Sequence, residues 1–586
     1  MIDIDKQREN YLNATGKIVL NACPGSGKTT IISYKLWKLI EASAKKNLKS
    51  GIACLSFTNV AKEEIKERYS NFSHKSIQYP NVVSTIDSFI NNYITLPYFY
   101  LLTSKFIRPT ILENASRLDS MMIPGLFKYD SKQKKSIAKH LSKTGDILLF
   151  QYAPSLISKD LNDNYTYDGK KPDPNKVEIA VFENYAKTIK EWQLRNGILT
   201  HSDSIVVAYK ILNKFPHVCK GLLKRFQHII IDEAQDTSEI QHAIFDKLVE
   251  HGLLNLELVG DPYQCIYAWR DAKPKTFIEK FNDPLWTGLE LSDNWRSTQS
   301  IIDTYAILRK AGDYKITART NFKTELPIYI IRFSKGNEAE ALKKYQELCK
   351  DYTRNQAVTR GTTLSSLLND DGNGAMNYWK NPNGIKLISC IAELRNAKIK
   401  TAIDNFREIA INIKAPDITY TDKRKILADL KVDYDWNSKL NQMLNKFSDF
   451  NLNLNDWTSF VQKELTSVLN LSTSVNLELK KGTFRPAHKK MMNDLFTEQK
   501  RKWNFPVTTI HQVKGMTLDS ILLFLGKDRR SISIGDLEAC VDEFTENQTM
   551  MYVAMSRPRY LLAIAIEDAV QKGEIEKKFL KKIEFV

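Results

Sequence analysis

Lys17-Ile18-Val19-Leu20-Asn21-Ala22-Cys23-Pro24-Gly25-Ser26-Gly27-Lys28-Thr29-Thr30 is the stretch from which the architecture follows. Its apolar, β-branched start reads as a strand covered on both faces. The small residues after it, with Gly25 and Gly27, let successive backbone N–H groups curl round a polyphosphate. A helix beginning at the same point turns its positive end toward that anion. In this pattern Lys28 reaches the β- and γ-phosphates and the Thr29 hydroxyl ligates Mg²⁺. Ala22, Cys23, Pro24, Ser26 and Thr30 complete the cradle, with Ala22 at the first position where the general pattern has Gly.

A phosphate loop needs a metal-holding carboxylate on a neighbouring strand. Ile229-Ile230-Ile231 runs straight into Asp232-Glu233-Ala234-Gln235-Asp236. Two acids at the tip of an apolar strand are costly unless Mg²⁺ and water neutralise them. Asp232 is expected to hold the metal's water shell, and Glu233 to orient or deprotonate the attacking water. Alone, such an acid pair is more often just the first turn of the next helix, where acids favour the dipole. With the loop upstream, the pair reads as an ATP-hydrolysing site whose cofactors are ATP and Mg²⁺.

Working outward, the same alternation of short apolar runs and helical stretches recurs, as in parallel α/β layers. The clearest further strands are 51–57, 228–231, 256–260, 328–331, 521–524 and 561–565. Two segments interrupt the pattern. Residues 96–204 read as helical and Lys-rich, and residues 376–503 as mostly helix with Asn-rich turns. The chain has 586 residues, enough for several domains at about 100–200 residues each. Its net charge of +17 favours a polyanionic partner. No run reaches the ~18–20 apolar residues of a membrane span, and Met1–Lys6 lacks the order of a secretory signal. The seven cysteines are scattered without a Cys-x-x-Cys pair, which argues against a disulfide framework and fits a reducing cytoplasm.

Further motifs appear in order. They are Ser56-Phe57-Thr58-Asn59-Val60-Ala61, Ser84-Thr85-Ile86-Asp87-Ser88-Phe89 and Val259-Gly260-Asp261-Pro262-Tyr263-Gln264-Cys265-Ile266-Tyr267-Ala268-Trp269-Arg270. Then come Asn294-Trp295-Arg296-Ser297-Thr298, Thr509-Ile510-His511-Gln512-Val513-Lys514-Gly515-Met516-Thr517 and Met551-Tyr552-Val553-Ala554-Met555-Ser556-Arg557-Pro558-Arg559. Together with the phosphate loop they resemble the UvrD/Rep/PcrA branch of superfamily 1 DNA helicases, over residues 7 to 559.

The resemblance implies roles residue by residue. Gln7 reads adenine, Trp295 replaces a Tyr and offers a flat surface to the base, and Gly515 and Thr517 lie beside the nucleotide. Thr517 stands where the family has a ribose-binding Glu, so any hydrogen bond there is uncharged. Gln264 senses the γ-phosphate, while Arg296 and Arg557 are the cations that reach it from the second motor domain. Phe57, Thr58, Asn59, Thr85, Tyr267, Trp269, Arg270 and His511 fall on the DNA side. Tyr267 and Trp269 stack on bases, and Arg270 links stacking to the nucleotide.

The implied architecture is α/β: two RecA-like P-loop motor domains, each interrupted by a mainly helical insertion. The first comprises 1–95 and 205–290 around 96–204, the second 291–375 and 504–586 around 376–503. Implied partners are single-stranded and partly duplex DNA, with 3′-to-5′ movement and no membrane. The chain has about twenty residues after its last expected strand, leaving no room for the nuclease module of the RecB/AddA relatives. With its His-x-x-Lys-Gly-x-Thr motif it is similar to the helicase subunits of Gabija-type antiphage systems, which work beside an OLD/TOPRIM-type nuclease subunit. Three classes stay open: a processive motor, including a repair helicase acting alone; a DNA-triggered ATPase regulating a partner nuclease; and a structural subunit. The complete set Lys28, Asp232, Glu233, Gln264, Arg296 and Arg557 argues against the last.

Overall fold

In a computed structural model the chain divides into two compact units. One comprises Met1–Lys335, Cys349–Asn355 and Ile510–Val586; the other comprises Gly336–Leu348 and Gln356–Thr509. The structure describes residues 3–586 except 104–105, 122, 124–126, 131–134, 139–151, 267–273, 320–324, 335, 362–363, 365–377, 382, 396–398, 415–433, 470, 472–474, 497–502, 527–530, 542 and 580–582.

The first unit carries a six-stranded sheet of β1 (Lys17–Ala22), β2 (Gly51–Ser56), β3 (Val82–Thr85), β4 (Phe226–Asp232), β5 (Asn255–Gly260) and β6 (Thr287–Leu291). The spatial order is β6-β1-β5-β4-β2-β3, with every neighbouring pair parallel. The two-residue repeat of a strand divides its side chains between two cores. Ile18, Leu20, Ile52, Cys54, Ile230 and Val259 pack with Ile31, Ile32 and Leu36 of the helix Lys28–Lys45. Val19, Ala53, Leu55, Ile229, Ile231, Leu256 and Leu258 pack on the opposite face with Phe89, Ile90, Ile211, Ile244 and Phe245. Both faces are thus apolar, which explains why these strands read as continuous hydrophobic runs. Because all six strands are parallel, their carboxyl ends lie along one edge, where ligands of open α/β sheets bind.

The same unit contains a second parallel array, β7 (Ile328–Phe333), β8 (Leu518–Phe524), β9 (Pro558–Glu567) and β10 (Ile583–Phe585), in the order β8-β9-β7-β10. All seven strands expected from apolar runs are strands here.

Residues 96–204 depart from the helical expectation. Among the described residues they include a parallel pair, Thr110–Ile111 with Ile198–Leu199, and an antiparallel pair, Ile157–Lys159 with Tyr165–Tyr167. Among the described residues of this segment the long helix is Ile179–Asn196. In the antiparallel pair, Asp160 Oδ1 accepts from the backbone N–H groups of Asn162 and Asn164 at 3.0 and 2.8 Å. That side-chain turn closes a hairpin where polar composition alone suggested a solvated helix. Of the Lys-rich run Ser131-Lys132-Gln133-Lys134-Lys135, residues 131–134 lie outside the described residues.

Among its described residues the second unit is mainly helical. Its helices Asn383–Arg395, Ile399–Lys414, Tyr434–Phe447 and Leu454–Val468 enclose Trp379, Phe406, Leu440, Leu444, Phe447, Trp457, Val461 and Leu465. The indoles of Trp379 and Trp457 find acceptors, Trp379 on Thr458 Oγ1 at 3.1 Å and Trp457 on the Phe447 carbonyl at 2.9 Å. This unit also holds a parallel strand pair, with Ala357–Thr359 opposite Val507–Thr509. Among the described residues no helix is long and apolar enough to cross a membrane. No two of the seven cysteines are joined in a disulfide, and all are buried.

Candidate nucleotide site

The carboxyl end of β1 opens into the loop Cys23–Gly27, and Gly27 begins the helix Lys28–Lys45 in left-handed conformation at φ 81°. Gly25 is also left-handed, at φ 72°. A Cβ at Gly25 would meet Asn294 Oδ1 at 2.6 Å and Arg296 Cβ at 2.8 Å, so only glycine fits against that segment. Lys28 Nζ donates to the carbonyls of Ala22 and Cys23 at 3.0 and 3.4 Å, which keeps its cation inside the loop. Ser26 Oγ is buried without a hydrogen-bond partner, a hydroxyl suited to a phosphate oxygen. Thr29 and Thr30 are half-buried on the first turn of the helix.

Asp232 closes β4, two strands away from β1. Burial, then the adjoining Glu233 carboxylate, push its carboxyl well above the ordinary range. Its Oδ1 accepts from the Glu233 N–H at 2.9 Å, while its Oδ2 is buried with no partner. A buried carboxylate with an orphan oxygen beside a threonine-bearing phosphate loop fits a divalent cation, which would supply the missing charge. Burial works against ionisation of Glu233 too. There Lys28, Lys514, the Gln235 hydrogen bond and Arg557 outweigh it and hold the carboxyl below its usual range. Glu233 sits at φ 54°, an uncommon left-handed conformation for a residue other than glycine.

Gln235, which the motif reading left without a role, braces this acid. Its Nε2 donates to Glu233 Oε2, and its Oε1 accepts from the Asp261 N–H at 3.1 Å. Gly260 allows the approach, since a Cβ there would lie 2.2 Å from Gln235 Oε1. Asp261 in turn receives Gln264 Nε2 on Oδ2 at 2.7 Å.

Groups from the far end of the chain complete the cluster. Arg557, buried just before β9, donates from Nη2 to Gln264 Oε1 at 2.7 Å and to Ser556 Oγ at 2.8 Å. Its Nε donates to the Val553 carbonyl at 2.9 Å. Burial lowers its pKa from the ordinary guanidinium value. Arg296 is half-buried, with Nη1 on the Ser556 carbonyl at 3.0 Å. Burial, then repulsion from Arg557, bring its pKa down to about 9. Asn294 ties this segment to the phosphate loop, its Nδ2 donating to the Pro24 carbonyl at 2.8 Å, while the Trp295 N–H donates to the Gly25 carbonyl at 2.9 Å.

Lys514 pairs with buried Asp236 and donates to the Gln264 carbonyl at 2.9 Å. Breaking a buried pair from one side leaves an uncompensated charge. Lys514→Met is therefore expected to lower unfolding free energy by about 3–5 kcal/mol, read from urea midpoints. A loss below about 1 kcal/mol would contradict the buried pair.

Gln7 is held next to β6. Its Nε2 donates to Ser292 Oγ at 2.9 Å and its Oε1 accepts from the Ser292 N–H at 2.9 Å, immediately beyond β6. Trp295 keeps 37% of its surface exposed. Gly515, at φ 81°, follows Lys514, and Thr517 is half-buried immediately before β8.

The strand-contact candidates divide. β2 and β3 pair with Ser56 opposite Thr85, so Phe57, Thr58 and Asn59 leave the sheet beside Thr85. Thr58 and Thr85 cap the helices that follow, accepting from Ala61 and Ser88 N–H groups at 3.1 and 3.2 Å. Asn59 is exposed and accepts from Lys62 at 3.1 Å. Gln241 Nε2 donates to Asp87 Oδ1 at 2.7 Å, joining this corner to the helix that follows the acidic loop. His511 is half-buried in the short helix Ile510–Val513. Tyr267, Trp269 and Arg270 lie outside the described residues.

Comparison with known proteins places the chain in a family. Residues 4–284 match the UvrD/REP helicase N-terminal domain and residues 309–568 the UvrD-like helicase C-terminal domain. The chain is 27% identical over 321 residues to a probable DNA helicase II homolog of Mycoplasma capricolum, covering 51% of this chain and 40% of that protein. It is 26% identical over 307 residues to DNA helicase II of Haemophilus influenzae, covering 51% and 39%. To the ATP-dependent DNA helicase PcrA of Bacillus subtilis it is 29% identical over 307 residues, covering 50% and 38%. The chain thus spans about two fifths of the length of the curated relatives it matches. With both halves of one helicase organisation matched in order, on either side of the cluster that Arg557 and Gln264 join, the chain belongs to the UvrD/REP-like helicase family.

Proposed function

We propose that the chain is an ATP-driven motor that moves 3′ to 5′ on single-stranded DNA and separates partly duplex DNA. The observation that carries this reading is the 2.7 Å contact between Arg557 and Gln264. It sets a cation from the last motif against an amide that follows β5, in the same charged cluster as Lys28, Asp232 and Glu233. We take the two parallel arrays as RecA-like motor domains, with 96–204 and 376–503 as insertions.

Thr29 and Asp232 would hold Mg²⁺ with ATP, and the cation's contribution is to neutralise charge on the β- and γ-oxygens. Lys28 binds the same oxygens from inside the loop. Glu233, kept ionised by its cationic neighbours, orients a water and accepts its proton. Arg296 and Arg557 meet the charge that develops on the transferred group, with Gln264 linking them to the strand-contact loop. Loss of the γ-phosphate removes the reason for the arginines to stay, and that release is the conformational step.

Single-stranded DNA would cross the carboxyl edge of the first sheet at Phe57, Thr58, Asn59 and Thr85, with Tyr267, Trp269, Arg270 and His511 completing the track. Tyr267→Ala and Trp269→Ala are each expected to weaken single-strand binding by about 1–3 kcal/mol, measured by fluorescence anisotropy. Unchanged affinity in both variants would remove them from the track.

Strand displacement on duplexes carrying either a 3′ or a 5′ tail tests the motor. ATP-dependent displacement of the 3′-tailed duplex supports it. Hydrolysis stimulated by DNA with neither duplex separated would favour a DNA-sensing ATPase instead. The narrower reading, a subunit working beside a nuclease in antiphage defence, rests on the resemblance around His511, Lys514, Gly515 and Thr517. Co-purification with a nuclease-bearing partner from the native host tests it, and recovery of the chain alone would count against it.

A further inference from the structure

Arg8 belongs to none of the motifs above, yet it is only 5% exposed. Its Nη2 donates to the Ser26 carbonyl at 2.8 Å, and its Nη1 pairs with Asp5. The guanidinium carbon lies 5.0 Å from the centre of the Trp295 ring. A Cβ on Gly27 would come within 3.9 Å of Nη2. One cation therefore touches both the phosphate loop and the Trp295 indole.

The helix Lys6–Asn13 that carries Arg8 is held at both ends. At its start Asp5 accepts from the Arg8 N–H at 2.8 Å, and the neighbouring Gln7 is locked to Ser292. At its finish Lys35 Nζ donates to the carbonyls of Tyr11 and Ala14 at 2.8 and 3.0 Å. Lys35 also forms an ion pair with Glu257 at 2.9 Å, with side chains 2% and 0% exposed. A buried lysine anchored to a helix end and to β5 fixes where that helix can sit. Arg8 is therefore presented in one place, and its planar fork suits simultaneous bonding and ring stacking.

We propose that Arg8 is a positioning and base-selectivity residue. It orients the Trp295 indole by a cation–π contact and ties that orientation, through Ser26, to the loop that grips the phosphates. The inference rests on the nucleotide reading above. A purine offers a larger ring to the indole than a pyrimidine, so losing the orientation weakens ATP more than CTP.

The test uses the full chain and equilibrium binding, which needs no turnover. Competition of ATP and of CTP against a fluorescent ATP analogue is measured for wild type, Arg8→Met and Arg8→Lys, with steady-state hydrolysis in parallel. Arg8→Met is expected to weaken ATP about threefold to thirtyfold, to weaken CTP by less than twofold, and to leave kcat within twofold. Arg8→Lys, which keeps the charge without the plane, falls between. A general loss of folding would lower both affinities together and leave their ratio unmoved. Equal losses for ATP and CTP in both variants, or unchanged ATP affinity, would overturn the proposal. A wild-type chain that binds neither triphosphate would instead sink the nucleotide reading itself.

Discussion

Glu233→Gln is expected to reduce ATP turnover by about a hundredfold to ten-thousandfold while leaving nucleotide affinity within about threefold. The substitution keeps the shape of the side chain and its place beside Gln235. It removes only the charge that accepts a proton from water. Glu233 can carry that charge because Lys28, Lys514 and Arg557 offset the effect of burial. The fold should tolerate the change, since a neutral amide at this position also relieves repulsion against Asp232. Stopped-flow nucleotide binding beside steady-state phosphate release separates the two quantities. A variant that binds and still turns over at the wild-type rate would take Glu233 out of the chemistry.

Arg557→Ala is the second large effect, about 10³–10⁵ in kcat, the range for losing an arginine that meets transferring phosphoryl charge. Three acceptors converge on this guanidinium: Gln264 Oε1, Ser556 Oγ and the Val553 carbonyl. A lysine has a single point of charge and cannot span them, so Arg557→Lys should recover little of the rate. Removing the side chain also leaves Gln264 Oε1 buried without its donor, a cost of about 1–3 kcal/mol. Thermal unfolding must therefore be followed alongside kcat. If Arg557→Ala hydrolyses ATP within threefold of wild type, the arginine is structural.

Much of this arrangement was legible in the sequence because both sheets are buried on two faces. Ile229-Ile230-Ile231 and Ile521-Leu522-Leu523-Phe524 can be little else than buried strands, and the phosphate loop announces itself through Gly25, Gly27 and Lys28. The strands that escaped notice lack that signal. β6 is Thr-Gly-Leu-Glu-Leu, β3 is half-buried along its length, and β10 is three residues long. Polar pattern misled in 96–204, where Asp160 closes a hairpin that composition does not announce.

The site divides in the same way. Motif residues stand at strand ends, where parallel topology collects them regardless of their distance in sequence. Gln235, Asp261 and Asn294 were visible inside quoted motifs, but only packing shows which neighbours they brace. Arg8 had no motif, and its significance comes from a ring and a carbonyl, the first hundreds of residues away and the second eighteen.

Phosphate release by the purified full chain, with Mg²⁺ and ATP, in the presence and absence of single-stranded DNA is the most direct measurement. The proposed coupling of the nucleotide site to a DNA track predicts hydrolysis that rises at least tenfold when the strand is added and that vanishes in Lys28→Ala. Hydrolysis indifferent to DNA, or persisting without Lys28, would contradict a nucleotide site coupled to a nucleic-acid track.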